Sequence, residues 1–249
     1  MHINAVWKNT CRILLREEIG DLEDYRDYLL RFVEGVVEQK SAISGKSTHV
    51  SSSDFCAGAE FVGGDEIAEY ARMMEGSPLN INEVKDIDSV LEALSERLYY
   101  AGDITLGKGK EVEKSNRCVN SSSVYNSNGI YDSKYMAFCS MLRYGECNFG
   151  CSIGGGISFS IKCFDGDRTV RCFEVARTYI STDCYYVANF ENCKNCMFSF
   201  NLRNKSRHIG NIPLSQNKYQ QLSEKLIEEI KGELETKKEV PSIMEIIGG

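Results

Sequence analysis

Long apolar runs are absent from this 249-residue sequence, and proline, tryptophan and histidine are scarce, with three, one and three residues respectively. No apolar run approaches the ~18 residues that a membrane-spanning helix requires. The N-terminal stretch MHINAVWKNTCRILLREE has no uninterrupted apolar segment before its charged residues, which argues against a secretory signal. We therefore expect a soluble, cytoplasmic protein with no membrane partner.

The motifs of common enzymes are absent as well. The histidines form no His-Glu-x-x-His pattern, and the sequence contains no Gly-x-Ser-x-Gly elbow. The stretch ISGKST (43–48) lacks the first glycine of a phosphate-binding loop and follows a predicted helix rather than a strand. A cysteine–histidine nucleophile pair stays open, but nothing selects one cysteine from eleven. We favour a protein that is not an enzyme and name no catalytic residue.

Cysteine, by contrast, is abundant. Eleven cysteines are an odd number, and they occur in a long chain without a recognisable export signal. Disulfide frameworks are typical of small secreted domains, whereas thiols stay reduced in the cytosol. The sequence therefore favours free thiols in a reducing compartment.

Charge and composition divide the sequence near residue 117. Residues 1–117 carry 14 basic and 22 acidic side chains, whereas residues 118–213 carry 10 and 7. Between 118 and 200 there is no proline, and short runs of cysteine, aromatic residues, serine and glycine replace helical spacing. We predict an α+β protein with three parts. These are an acidic α+β domain over 1–116, a β-solenoid over 117–213, and a C-terminal capping helix with an apolar tail over 214–249.

Apolar residues at helical spacing predict three main helices. The first covers 21–40, the second covers 86–99, and the third covers 215–236 after the N-cap candidate Ser215. The third helix would cover an open end of the solenoid. The tail VPSIMEIIGG would dock on the body of the protein or on a partner.

A separation of 21 residues recurs among the cysteines. Four pairs share it, namely Cys118 with Cys139, Cys151 with Cys172, Cys163 with Cys184, and Cys172 with Cys193. Repeats of about 20 residues built from short β runs are typical of a parallel β-solenoid, in which equivalent side chains stack ~4.8 Å apart. We predict a short right-handed solenoid of about four coils of ~21 residues, in which Cys193 stacks on Cys172 and Cys151.

A Cys-x-x-Cys pair, Cys193 and Cys196, lies in ENCKNCMFSFNLRNKSRHIGN (191–211). Interior packing is the favoured interpretation, because Cys193 belongs to the 21-residue series. The alternative is a zinc or iron–sulfur site, which would need two further ligands. The candidates for these ligands are Cys184 with His208, or Cys147 with Cys151. We favour no bound metal or other cofactor.

The basic residues of the predicted solenoid are candidates for a binding face, alongside neighbouring aromatic residues. Residues two apart in a strand face the same way, so we expect Arg171 and Arg177 to share a face. A net charge of +3 over 118–213 is small for phosphate binding. We therefore favour a solvated face, or one that receives the acidic N-terminal unit, over nucleic acid. The candidates are Arg143, Arg168, Arg171, Arg177, Arg203, Lys205 and Arg207, and Lys162 belongs to the same basic set.

The segment NCKNCMFSFNLRNKSRHIGNIPLSQNKY (192–219) resembles the closing part of cysteine- and aromatic-rich β-solenoid proteins of archaea and uncultured bacteria, which are largely uncharacterised. Those proteins repeat Asn-Cys-x-x-Cys units and end with Asn-Leu-Arg-Asn-Lys before a helix. Residues 201–205 match that ending, whereas His208 stands where the family usually has cysteine. The resemblance extends over roughly 125–230. It implies the solenoid fold and brings no known activity.

These observations predict a non-enzymatic interaction or assembly protein. Its solenoid would present a rigid face to a protein partner or to another copy of the chain. Metal binding through Cys193 and Cys196 is the first alternative. Nucleic-acid binding on the basic face is the second.

Overall fold

Residues 105–209 form a parallel β-solenoid of about nine turns. The computed structural model describes residues 2–51, 59–80, 82 and 84–248. Helices lie at the ends of the solenoid and along one of its sides. The β-solenoid predicted from the sequence is thus confirmed.

The hydrogen-bonding register has a 12-residue period, as the bond from the backbone N–H of Ser133 to Ser121 Oγ illustrates. Met136, for example, pairs with Val124 on one side and with Asn148 on the other. Each strand therefore pairs with the strand one turn before it and the strand one turn after it. The solenoid strands are β5 (Thr105–Leu106), β6 (Lys110–Glu113), β7 (Asn116–Val119), β8 (Ser122–Tyr125), β9 (Asn128–Tyr131), β10 (Lys134–Ala137), β11 (Ser140–Arg143), β12 (Glu146–Phe149), β13 (Ser152–Gly155), β14 (Ser158–Asp167), β15 (Phe173–Tyr179), β16 (Thr182–Glu191), β17 (Lys194–Phe200) and β18 (Ser206–Ile209).

Every third residue from Arg117 to Gly210 has a positive φ angle. This left-handed conformation turns the chain at each corner, so that a 12-residue turn has four sides of three residues. An L-residue in this region costs roughly 1–2 kcal/mol, and asparagine, aspartate and glycine tolerate it best. Asparagine accordingly recurs at the corners of the last turns, as at Asn189, Asn192 and Asn195.

From Cys118 to Leu202, the residue after each left-handed corner points into the solenoid. These inward positions stack in four ladders, in which each member lies one 12-residue turn from the next, and they form a closed apolar core. The core residues are Cys118, Val124, Ile130, Met136, Cys139, Leu142, Cys151, Ile157, Cys163, Cys172, Val175, Cys184, Val187, Phe190, Cys193 and Cys196. So short a turn encloses little space, which explains why small side chains predominate.

Small polar side chains at inward positions also complete the backbone hydrogen bonding. Ser121 Oγ donates to the carbonyl oxygens of Val119, at 2.8 Å, and Ile130, at 3.2 Å. The same oxygen accepts from the backbone N–H of Ser133, one turn later, at 3.2 Å. Buried backbone groups need such partners, because water cannot reach them. Serine, threonine and cysteine at inward positions therefore both fill the narrow solenoid and pair its backbone groups.

The predicted repeat length and number of coils are wrong. The register gives a 12-residue turn in place of the expected 21-residue coil, and there are about nine turns rather than four. Because 21 is a multiple of three, two residues separated by 21 can both point inward. Because 21 is not a multiple of 12, they belong to different ladders. Cys151, Cys172 and Cys193 all point inward, but they lie in three separate ladders rather than one.

One side of the solenoid is covered by helices, and its large apolar residues form a second core with them. Helix α1 (His2–Leu15) supplies Trp7, whose ring meets Phe149 edge-on at a centroid distance of 5.2 Å. The hydroxyl of Tyr185 donates to the carbonyl oxygen of Leu14 at 2.8 Å. Residues 2–30 therefore share a core with the solenoid.

The helix predicted over 21–40 is much shorter in the structure. A 3-10 turn, Leu22–Tyr25, leads into α2 (Arg26–Leu30), and the chain becomes β1 (Val36–Lys40). Lys162 Nζ donates to the carbonyl oxygens of Tyr28 and Arg31, at 2.9 and 2.5 Å. Those bonds satisfy carbonyls that a continuing helix would have used.

Two small sheets precede the solenoid. Strand β1 pairs antiparallel with β2 (Ser47–Ser51), and β3 (Glu60–Val62) pairs in parallel with β4 (Tyr99–Ala101). Between β3 and β4 lie α3 (Ile67–Gly76) and α4 (Ile87–Ser95), the latter within the helix predicted over 86–99.

The C-terminal helices lie over the last turns. Strand β18 pairs antiparallel with β19 (Ile212–Pro213), which ends the parallel ladder. Helix α5 (Gln216–Lys237) follows, and Ser215 Oγ accepts from the backbone N–H of Lys218, as predicted for an N-cap. The tail docks on the body through α6 (Ile243–Ile246), where Ile243 is fully buried. Among the described residues, no helix combines the length and apolarity needed to cross a bilayer.

Candidate functional site

Eight of the nine cysteines between 118 and 196 occupy inward positions of the solenoid. Their thiols bond to the backbone as the serines do. Cys139 Sγ, for example, lies 3.2 Å from the carbonyl oxygen of Ala137 and 3.3 Å from that of Asn148. The exception is Cys147, which occupies a left-handed corner. The cysteines that the structure describes are all free and buried.

Burial raises the pKa of these thiols. It raises the pKa of Cys118 to about 12 and the pKa of Cys163 well above its ordinary value. Burial likewise raises the pKa of Cys193. Reactive cysteines need a lowered pKa, because the thiolate is the nucleophile and the metal ligand. The interior thiols therefore have the properties of structural side chains.

The residues of the alternative metal site do not converge. Cys184, Cys196 and His208 are successive members of one ladder, whereas Cys193 belongs to the neighbouring ladder. The Nδ1 atom of His208 lies 2.9 Å from the carbonyl oxygen of Ser206. In the other set, Cys151 points inward and Cys147 does not. Within the described ranges, no three metal-binding side chains form a group that could hold an ion.

The candidate basic residues are distributed over three sides of the solenoid. Since corners recur every three residues, Arg143, Arg168 and Arg203 share one side, while Arg171 and Arg207 lie on the next. Lys205 follows a left-handed corner in the last full turn and is exposed. The structure therefore assembles no continuous basic face from the whole set.

The expectation that Arg171 and Arg177 share a face is wrong. Their separation along the chain is half of a 12-residue turn, so they occupy opposite sides. Three of the candidates are also paired with neighbouring carboxylates, and the first is Arg168, whose Nε lies 2.9 Å from Asp167 Oδ2. Arg171 binds Asp183 through two hydrogen bonds of 2.6 and 2.8 Å, and Arg203 Nε lies 3.3 Å from Glu191 Oε2.

A buried pair of charges, Lys162 and Glu174, lies beneath the helices. The sequence does not predict the pair, and the assignment of Lys162 to the exposed basic set is wrong, because helices cover its side of the solenoid. Both occupy left-handed corners of the covered side, one turn apart, and neither is exposed to solvent. The Lys162 amine is surrounded by the rings of Tyr28, Phe32 and Phe164. Burial lowers the pKa of Lys162 to about 8, and it raises the pKa of Glu174.

Glu174 joins both ends of the chain to the solenoid. Its carboxylate accepts from the hydroxyl of Tyr28 at 2.7 Å, from the hydroxyl of Ser242 at 2.9 Å and from the backbone N–H of Ile243 at 2.8 Å. Lys162 binds the carbonyl oxygens at the end of α2. The pair therefore holds α2 and α6 on the solenoid. Two charges exactly one turn apart within an apolar series are the sequence signal that could have revealed it.

The most unusual surface is an apolar stripe on α4. Ile87 is 75% exposed, Leu91 is 57% exposed, and Leu94 and Leu98 are exposed as well. Among the residues that the structure describes, neither α3 nor α4 contains a buried one. An amphipathic helix normally buries its apolar stripe. The ring of Tyr70 in α3 stacks on the ring of Tyr99 in β4 at a centroid distance of 5.2 Å.

Acidic residues surround this stripe. Residues 65–98 carry nine acidic and three basic side chains, a net charge of −6. Asp86 caps α4 by accepting from the backbone N–H of Ser89 at 2.8 Å, and Asp88 lies in the first turn. We call the exposed side chains of Ile87, Leu91, Leu94 and Leu98 the α4 stripe.

Comparisons with known proteins give no relative. No protein-family model, no curated protein and no solved structure matches this chain.

Proposed function

We propose that this protein is a non-enzymatic, cytoplasmic interaction or assembly protein that binds another protein through the α4 stripe. The observation that carries the proposal is the exposure of three large aliphatic side chains along α4, Ile87, Leu91 and Leu94, and of Leu98 just beyond its end. Covering a leucine or isoleucine side chain fully is worth ~1.5–3 kcal/mol. A contiguous exposed apolar surface rimmed by polar residues is typical of a protein–protein interface.

The solenoid supports this function as a rigid platform. Its ladders of hydrogen bonds and inward side chains connect each turn to the next, so one end is held in a defined position relative to the other. In this proposal the solenoid is right-handed, its interior thiols are structural, and no metal or other cofactor takes part. The buried Lys162–Glu174 pair would hold the terminal helices in place.

The charge around the stripe defines the partner's chemistry. A net charge of −6 over 65–98 disfavours pairing of two copies through this surface, because like charges would face each other. It favours a partner segment whose apolar side chains are flanked by lysine or arginine. A nucleic-acid partner is disfavoured by the same negative charge.

Affinity purification from the native lysate tests the proposal. The test variant is Ile87→Ser combined with Leu91→Ser, and the matched control is Ile153→Ser, which changes an exposed isoleucine on the solenoid. We expect the wild type and the control to retain the same proteins and the double variant to lose them. Retention of the same proteins by the double variant, or no specific retention by the wild type, would refute the proposal.

A further inference from the structure

A polar cavity lies between the last solenoid turns and the helices α1 and α5. Its volume is about 460 Å³, which is within the range of small-molecule sites. Leu14, Tyr185 and Ile227 form an apolar floor and are buried. The first turns of α5 form one wall, and the end of α1 forms another.

The solenoid wall of the cavity is a column of left-handed corners, each one 12-residue turn from the next. Asp183, Asn195 and Arg207 follow one another in this column, and Arg171 precedes them outside the cavity. Because successive turns are ~4.8 Å apart, Arg207 lies roughly 10 Å along the column from Asp183. Asp183 is already engaged by the bidentate bonds of Arg171. It therefore does not neutralise Arg207.

Several polar side chains of this cavity have no protein partner. Within the part of the chain that the structure describes, Arg207 forms no ion pair, and the side chains of Asn195, Gln216 and Tyr219 form no hydrogen bond. The other arginine of the lining, Arg16, is paired with Glu224 at 3.1 Å. One unneutralised guanidinium and three neutral polar side chains thus converge on one space.

We propose that this cavity binds a small molecule carrying an oxyanion, a carboxylate or phosphate group on an aromatic or aliphatic body. The Arg207 guanidinium presents a planar fork of donors that suits such oxygens. Asn195, Gln216 and Tyr219 donate further hydrogen bonds to them. The body of the ligand lies on the Tyr185 ring, whose hydroxyl is already used by Leu14.

Tyr219 serves as a donor at every ordinary pH. Burial raises the pKa of its hydroxyl, so the group stays protonated. A glutamate or aspartate at the place of Asn195 would put a negative charge beside Arg207 and compete with the ligand. The amide found there keeps the column neutral at that position.

Isothermal titration with phenyl phosphate, benzoate and phenol tests the site. We expect saturable binding of at least one of the two anions below ~10 mM and none of phenol, because the oxyanion carries the recognition. Binding of phenyl phosphate alone would identify a phosphate ester as the natural ligand class, and binding of benzoate alone would identify a carboxylate. No saturable binding of either anion would refute the site.

Two variants and a control locate the binding. Arg207→Gln and Asn195→Asp should each weaken the Kd of the bound anion by about tenfold. Arg203→Gln, a change of the same kind outside the cavity, should leave it unaltered. Both test positions are corners on the surface of the solenoid, so an unchanged thermal melting temperature confirms that the variants fold. A change smaller than about fivefold in Arg207→Gln would overturn the assignment.

Discussion

Replacing Lys162 by methionine should destabilise the protein by about 3–5 kcal/mol, the usual cost of removing one member of a buried charge pair. The amine of Lys162 holds two carbonyl oxygens of the α2 region and lies one turn from Glu174. The Glu174 charge favours the charged form of Lys162 and so opposes the effect of burial on the pKa of the amine. The single replacement leaves the Glu174 carboxyl buried without the attraction of Lys162, so its pKa, already raised by burial, rises further.

A double-mutant cycle with Glu174→Gln isolates the interaction between the two charges. Each single variant leaves one uncompensated charge, whereas Lys162→Met with Glu174→Gln leaves neither. The double variant should therefore be more stable than the sum of the single effects by about 2–3 kcal/mol. Urea unfolding followed by circular dichroism at pH 7 measures these free energies. Lys194→Met, at an exposed position, is the control and should change stability by less than about 0.5 kcal/mol.

The pH dependence provides a second readout for Lys162. Its native pKa of about 8 lies below the ordinary value of 10.5, so the native state releases this proton before the unfolded state does. Stability should rise by about 2 kcal/mol between pH 7 and 9.5 in the wild type relative to Lys162→Met. The contribution of Glu174 to stability changes with pH in the opposite direction. Its native pKa is raised, so this contribution is lost as the pH rises through that pKa. Two results together would contradict the role of the charge pair. The stability losses of the two single variants would add up to that of the double variant, and stability would depend on pH in the same way in the wild type and in Lys162→Met.

The remaining predictions concern the interior of the solenoid. Cys139→Ser should keep stability within about 1 kcal/mol of the wild type, because the hydroxyl can make the same hydrogen bonds to the backbone. Cys139→Ala should lose about 1–3 kcal/mol. Equal losses in urea unfolding would refute the role of the thiol. Gly154→Val should prevent folding at 37 °C, since a Cβ there would lie 2.3 Å from the carbonyl oxygen of Gly166, and a native circular dichroism spectrum would contradict this. Native protein should react with Ellman's reagent at none of its inward cysteines, all of which should react in about 6 M guanidinium.

Some elements could be predicted because their signals are local. Helix α5 begins after Ser215 as expected, since the N-cap and the apolar spacing lie within a few residues of each other. The helical pattern of 86–99 likewise predicts α4. The inward orientation of Cys193 was also correct, because cysteines recur at multiples of three residues. Helix α1 was missed although its buried residues Ile3, Trp7 and Cys11 lie at helical spacing. The end of α2 depends on contacts with the solenoid.

The candidate sites were less accessible to sequence reasoning. The predicted basic face assumes that side chains two residues apart in a strand face the same way. The left-handed corners replace this alternation with a period of three residues. The α4 stripe is visible as a pattern, although only the structure shows that its side chains are exposed. The cavity beside Arg207 joins residues of α1, α5 and three solenoid turns, and no short-range pattern connects them.

The sequence by itself determined that the chain forms a β-solenoid with small, cysteine-rich ladders, because the alternation of side-chain types is repeated along the chain. Only the tertiary structure decided the length of the turn, since 12 and 21 are both multiples of three and both place cysteines inside. The hydrogen-bonding register distinguishes them, because each inward hydroxyl or thiol must meet backbone groups of the adjacent turn. The same register stacks Lys162 with Glu174, and Asp183 with Asn195 and Arg207. It thereby creates the buried charge pair and the polar cavity.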